Sequence, residues 1–285
     1  FMKQEKHTVR TIQEMREKGE IITMLTAYDY PTAKQINDAG IDTILVGDSC
    51  AMVVHGHPNT LTATMDMMVL HCAAVARGCS RTMVIADMPF GSFQYSVEDT
   101  MRNAARFVTE AKVDAVKFEA TPNHIEKTRA IVEMGIAVVG HVGLHPQAIG
   151  VLGGMTVQGK TVETARKVMR EALALQEAGA FAIIFEAVPA KLSAYITQKL
   201  QIPTISIGGG PGCSGQLLVT PDVLWMFDAF TPSFAKKYQN FNQLMTEAFA
   251  QYAQEVRTGV FPGEEHSYKI SDEVLHAIED EFGKV

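Results

Sequence analysis

This chain lacks basic blocks, long apolar runs and a dense set of cysteines, and each shortage narrows what it can be. No Lys/Arg-rich segment interrupts the 285 residues, and the formal net charge is -7 with a pI near 5.7. That balance argues against a nucleic-acid or anionic-membrane partner, which demands a clustered positive surface. The longest apolar runs, Ala180–Phe185 among them, fall far short of the ~20 residues a membrane-spanning helix needs. No secretory signal is read at the start, where Met2-Lys3-Gln4-Glu5-Lys6 is charged with no apolar stretch behind it. Cys50, Cys72, Cys79 and Cys213 include no Cys-x-x-Cys pair and cannot frame a disulfide scaffold at this length. The expectation is a reduced, cytoplasmic setting. Cys50 alone, beside an acidic strand end, has a place for nucleophilic work, and packing is the simpler reading because no base accompanies it.

What the chain has in quantity is apolar sequence: 47% of residues are hydrophobic and 20% charged, enough for a substantial core. Short, nearly all-apolar runs recur at Ile21–Leu25, Thr43–Val46, Met83–Ala86, Ala115–Phe118, Ile136–Val139, Phe181–Phe185, Pro203–Ile207 and Leu217–Val219. Parallel strands covered on both faces read this way. Between them lie helical stretches with end signals. These are Pro31–Ala39, Met65–Ala76, a helix from the Ser96-Val97-Glu98-Asp99 capping pattern toward Ala111, Ile125–Met134, Thr161–Ala178 and Ala190–Leu200. Such alternation implies right-handed crossovers and a parallel sheet. Eight units in 285 residues favour a closed (β/α)8 TIM barrel over an open doubly wound sheet. A helix is expected from about Pro232 to Glu255, and a short one from Asp272 to Phe282, as a C-terminal helical extension. With no repeat or linker to divide it, the chain reads as one domain over 1–285.

Barrel enzymes place their chemistry at the C-terminal ends of the strands. Here those ends carry Asp48-Ser49, Asp87, Lys117 with Glu119, His141, Glu186 and the glycines 208–210. Each has a plain structural reading: an aspartate past a strand is often a helix N-cap, as Asp29 is expected to be, and a lone buried histidine is usually just hydrogen-bonded. Glycine-rich loops are mostly turns, so Gly208–Gly212 and Gly153-Gly154 say little alone. Lys117, inside an apolar strand, needs a partner. Four carboxylates at one mouth would repel one another unless a cation neutralises them. Oxygen ligands point to Mg2+, and the lack of cysteine and of a second histidine argues against zinc.

Further motifs run almost the length of the chain: Thr26-Ala27-Tyr28-Asp29, Leu45-Val46-Gly47-Asp48-Ser49, Ala86-Asp87-Met88-Pro89-Phe90, Val116-Lys117-Phe118-Glu119 and Gly140-His141-Val142-Gly143-Leu144. Val157-Gln158-Gly159, Glu186-Ala187-Val188-Pro189, Gly215-Gln216 and Pro262-Gly263-Glu264-Glu265-His266-Ser267 follow. In these the chain resembles the ketopantoate hydroxymethyltransferase family, part of the phosphoenolpyruvate mutase/isocitrate lyase-like barrel group. The resemblance implies transfer of a hydroxymethyl group from 5,10-methylenetetrahydrofolate to 3-methyl-2-oxobutanoate through an enolate chelated to Mg2+, one ion per subunit, in pantothenate biosynthesis. It implies that Asp48, Asp87 and Glu119 bind the metal. Asp48, Ser49, Asp87, Lys117, His141, Ser206 and Gly208 would line the substrate or product, and Glu186 would be the catalytic base. It also implies a homo-oligomer, octamer or decamer.

The chain departs from the commonest family pattern at Ser214, Ala120-Thr121, His145, Met155 and Cys50, around the pocket edges rather than in the metal set. Two other readings stay open from sequence: a Mg-dependent 2-oxo acid carbon–carbon lyase or mutase of the related group, and a non-catalytic carboxylate-binding barrel.

Overall fold

The computed structural model describes residues 5–119, 121–226 and 232–284, apart from the side chains of Pro122 and Leu152. These residues form two compact units, the first comprising those up to Val223 together with 232–237. In chain order it contains α1 (Val9–Lys18), β1 (Ile22–Thr26), α2 (Tyr30–Asp38), β2 (Thr43–Val46), the short α3 (Cys50–Val53) and α4 (Met65–Gly78). Then come β3 (Met83–Asp87), α5 (Val97–Thr109), β4 (Ala115–Lys117), α6 (Ile125–Glu133), β5 (Ala137–Gly143) and the single-turn α7 (Ile149–Leu152). α8 (Val162–Glu177), β6 (Ala182–Glu186), α9 (Ala190–Lys199), β7 (Thr204–Ile207), β8 (Gly215–Leu218) and α10 (Thr220–Val223) complete it.

The eight strands pair in sequence order, all parallel, and β1 pairs with β8 as well as β2, so the sheet is a closed barrel. Closure leaves no open sheet edge. Two buried clusters follow from the period-2 alternation of a strand. Met24, Leu45, Met83, Ile85, Val139, Ile184 and Ile205 fill the barrel interior. Their neighbours Ile44, Val84, Val116, Val138, Ile183 and Phe185 point outward onto the helices. Fully burying a side chain such as Ile85 or Phe185 contributes about 1.5–3 kcal/mol.

The helices start where their caps are. Asp29 accepts from the Thr32 N–H at 2.8 Å, so it is the N-cap of α2 as its sequence context suggested. Ser96 accepts from the Asp99 N–H and opens α5. α1 was not expected: its capping box is Thr8 with Thr11, not the Glu or Gln that signals such a box in sequence. It brings Ile12 into the barrel-interior cluster.

The second unit comprises 224–226 and 238–284 among the described residues. It holds α11 (Phe241–Thr258) and α12 (Asp272–Phe282). The expectation of a helix from Pro232 is corrected: no helix covers 232–240, and Asn240 caps α11 by accepting from the Gln243 N–H. The helix then runs past Glu255 to Gly259, whose left-handed φ of 73° ends it.

Candidate active site

Strand parity builds the barrel mouth. On β3, Asp87 shares a face with Met83 and Ile85, which point inward; on β4, Lys117 shares a face with inward Ala115. His141 follows Val139 on β5, and Glu186 follows Ala182 and Ile184 on β6, with the same parity. The sheet register sets Asp87 directly beside Lys117. Their side chains meet there, both nearly fully buried, with the Lys117 ammonium 3.0 Å from Asp87 Oδ1 and 3.1 Å from Oδ2. The Asp48 N–H donates to Asp87 Oδ2 at 3.2 Å, joining the end of β2 to the end of β3.

The backbone of Glu186 is tied to His141 through one residue, Leu144. The Leu144 N–H donates to the Glu186 carbonyl at 2.8 Å, and the Leu144 carbonyl accepts from His141 Nε2 at 2.7 Å. Gly143, at φ +100°, makes this approach possible: a Cβ there would collide with the Glu186 carbonyl oxygen. Because Leu144 O can only accept, His141 carries its proton on Nε2, and its buried Nδ1 has no hydrogen-bond partner. The same Nε2 lies 3.5 Å from Glu186 Oε2.

Electrostatics follows from burial. Four acids, Asp48, Asp87, Glu119 and Glu186, face one lysine. Burial raises all four carboxyls despite Lys117, Asp87 to about 7 and Glu186 to about 8, with Asp48 upward and Glu119 well upward. For Lys117, burial works to lower the ammonium's pKa, and Asp87, Glu119, Asp48 and Glu186 outweigh it and keep it charged. Burial and then Lys117 push the His141 imidazole well below the usual histidine range, so it is neutral.

Such an excess of buried negative charge suits a hard cation, and Asp87 Oδ1, close to Lys117 yet accepting no aligned hydrogen bond, is an unmet acceptor in the same place. Among the described residues no three Asp, Glu, His or Cys side chains stand as a ready-made metal cluster. The donor set therefore fits an ion held by one or two carboxylates, with water and substrate oxygens completing its shell.

The remaining expected residues are placed differently. Ser49 bonds to the Tyr28 hydroxyl at 2.8 Å, close beside Asp48 in the chain. Ser206 sits between inward Ile205 and Ile207, so it faces the helix layer, and its hydroxyl accepts from the Gly209 N–H at 2.9 Å. Gly208, at φ +74°, lies under Phe234, whose ring would meet a Cβ at 2.8 Å. Cys50 is fully buried, 3.4 Å from Met68 Sδ, and burial pushes its thiol up to about 12, which removes it as a nucleophile. Of the departures from family pattern, Ala120 lies outside the described residues, and His145, buried beside His141, is lowered to about 4 by burial.

Sequence reasoning missed Gln147. Its side-chain amide donates to Asp48 Oδ2 at 2.9 Å, and its backbone N–H to both Glu119 oxygens at 3.3 and 3.1 Å. The only signal was a glutamine after Pro146, just beyond β5, and an amide in a loop announces nothing by type.

A closed eight-stranded parallel barrel with acids and a lysine at its strand ends defines an enzyme of the (β/α)8 class. Among solved structures it is similar to phosphonopyruvate hydrolase, at a TM-score of 0.59 and 14% identity over 98% of this chain and 100% of that one. It is also similar to 2,3-dimethylmalate lyase, at 0.58 and 15% over 95% and 93%. Likeness at that distance shows the fold. Residues 6–264 match the sequence family described as ketopantoate hydroxymethyltransferase, and the chain belongs to that family. The 3-methyl-2-oxobutanoate hydroxymethyltransferase of Acetivibrio thermocellus is 50% identical over 99% of this chain and 98% of its own length. That of Enterococcus faecalis is 50% identical over 96% and 99%. A form from Oryza sativa subsp. japonica named as mitochondrial is 51% identical over 93% of this chain and 74% of its own length. Membership sets aside both the lyase or mutase reading and the non-catalytic barrel. Among the described residues no helix is long and apolar enough to cross a membrane.

Proposed function

We propose that the barrel mouth carries the family's reaction, with Glu186 as the base that takes the C3 proton of the 2-oxo acid. The activity follows from family membership: the chain is a 3-methyl-2-oxobutanoate hydroxymethyltransferase of pantothenate biosynthesis. The family implies 5,10-methylenetetrahydrofolate as the one-carbon donor.

The observation that carries the assignment is a largely buried carboxyl raised to about 8, at the same mouth as the Lys117–Asp87 pair. A base is most effective when its pKa lies near the working pH, and a positioned one contributes about 10²–10⁴-fold. Lys117 stays charged in a buried site, where it can offset the negative charge that grows on the substrate oxygens as C3 loses its proton. His141 is neutral with a bare Nδ1, so it can accept a hydrogen bond from a ligand donor without adding charge. Ser49 and the Tyr28 hydroxyl lie next to Asp48 and can orient the substrate's carboxylate or carbonyl. C3, once deprotonated, bonds to the folate's one-carbon unit; the two C–N bonds that held that carbon break as the folate nitrogens take up protons, and one water supplies the hydroxyl oxygen of the product.

Asp48 and Asp87, with Glu119 in the same acid set, would hold Mg2+, which would supply Lewis-acid polarisation of the 2-oxo acid carbonyl. A homo-oligomer, octameric or decameric by family resemblance, belongs to the same reading; the exposed Leu244, Phe249, Tyr252 and Val256 give α11 an apolar surface that a subunit can cover.

The test is proton exchange at C3 of 3-methyl-2-oxobutanoate in D2O with Mg2+ present and folate absent. Wild type exchanges and Glu186→Gln does not. Undiminished exchange in the variant removes Glu186 as the base, and no exchange in wild type sinks the deprotonation step.

A further inference from the structure

Gln147 and Gln94 form a chain of amides whose orientation leaves no freedom. The Gly91 and Phe93 N–H groups donate to Gln94 Oε1 at 2.8 and 3.3 Å. That fixes Gln94 Nε2 as the group 3.4 Å from Gln147 Oε1, to which it donates. Gln147 Nε2 must then face the other way, and there it donates to Asp48 Oδ2 at 2.9 Å and to the Met88 carbonyl at 3.0 Å. The Gln147 backbone N–H meanwhile holds both oxygens of Glu119. The loop bearing Gln94 is itself anchored, since Lys127 of α6 donates to the Phe93 carbonyl at 2.7 Å. Gln147 is buried, 5% exposed, and neutral.

A buried neutral amide between two carboxylates has a specific use. The Gln147 side chain donates to Asp48 while the backbone N–H of the same residue holds Glu119, so it adds no charge that would compete with a cation and fixes which oxygens remain to turn toward one. We infer that Gln147 is a positioning residue for the acid set of the mouth, aimed by Gln94, and that the pair sets the site's affinity for Mg2+. This inference rests on the proposed use of Asp48 and Glu119 as cation ligands. Partners in hydrogen bond to a metal's ligands commonly govern affinity by about 10–100-fold.

The experiment is calorimetric titration of Mg2+ into the folate-free, substrate-free enzyme, with the melting temperature in EDTA measured on the same samples. Gln147→Met keeps length and shape, removes the side-chain donors to Asp48 and Met88 together with the acceptor for Gln94, and leaves the backbone N–H to Glu119 in place. It is expected to weaken Mg2+ binding about 10–100-fold. Gln94→Met is expected to weaken it less, by about 3–10-fold. Because Gln94 acts through Gln147, the double variant should bind within about 2-fold of Gln147→Met alone, a non-additivity that two independent packing defects would not give. Unchanged affinity in both single variants overturns the inference, and so do effects that multiply in the double variant. Wild type that binds no Mg2+ overturns the cation reading of the mouth itself, a separate result. Should Gln147→Met fail to fold, Gln94→Met decides alone: weakened binding supports the chain of amides and unchanged binding overturns it.

Discussion

Replacing Lys117 with methionine isolates the ion pair at the centre of the mouth, and its cost should depend on pH in a definite direction. In metal-free wild type, Asp87 has its pKa raised to about 7, by burial first and with Lys117 pulling it back down. At pH 8.5 the carboxyl is therefore ionised and paired at 3.0 Å, with both side chains at most 5% exposed. Lys117→Met at that pH leaves a buried carboxylate without its partner, which typically costs about 3–5 kcal/mol. For a chain of this size each kcal/mol moves the melting temperature by about 2–4 °C, so the expected drop is roughly 6–20 °C. At pH 5.5 Asp87 is neutral in wild type as well, so the substitution removes a buried ammonium that has no ionised Asp87 beside it; that relief offsets the hydrogen bond lost, and the cost is at most about 0.5–1.5 kcal/mol, or roughly 1–6 °C. The assay is thermal unfolding of both proteins in EDTA at the two pH values. An equal loss at pH 5.5 and 8.5 would refute the reasoning, because it would mean that Lys117 contributes packing and not charge.

Metal-free wild type should itself lose stability as pH rises from about 5 to 8. The folded Asp87 and Glu186 hold protons up to about 7 and 8 while the unfolded chain releases them near the ordinary carboxyl values, so the native state binds more protons across that window. Added Mg2+ should flatten this decline, and a melting temperature that climbs with pH in EDTA would contradict the raised carboxyls. Glu186→Gln should lower the C3 exchange rate by about 10²–10⁴-fold, and in EDTA it should remove part of the stability lost toward pH 8. Gly143→Ala should lose both activity and about 1–3 kcal/mol of stability, since it strains a φ of +100° and pushes on the Glu186 carbonyl; urea unfolding and initial rates on the same preparation check the two together.

The barrel was legible because parallel strands buried on both faces write themselves as continuous apolar runs, and all eight fell within a few residues of their observed places. β5 reaches beyond its expected end to Gly143, because His141 interrupts the apolar pattern there. Lys117 stood out for the opposite reason, as a charge inside an apolar run, and the acids stood out jointly, as four carboxylates at strand ends that repel one another although each alone could be a helix cap. What sequence concealed was direction and neutrality. Ser206 belongs to the right loop, yet parity turns it to the helix layer, which residue type alone does not reveal. Gln147 carries no charge, sits on a turn and acts through its backbone as much as its side chain, so nothing in composition or spacing marks it. α11 starts at its asparagine cap rather than at Pro232, because an N-cap satisfies orphan N–H groups that hydrophobic pattern does not see.

Leu144 has a further use to the experimenter. Its carbonyl holds the proton of His141 on Nε2, and the ring's low pKa keeps it from titrating across the working range. The two ring nitrogens are thus chemically distinct at every practical pH, and the unpaired Nδ1 changes its surroundings only when something with a proton to share arrives beside it. Isotope-labelled His141 should therefore report by nitrogen NMR a hydroxyl donor such as the product's arriving at Nδ1, without any attached probe.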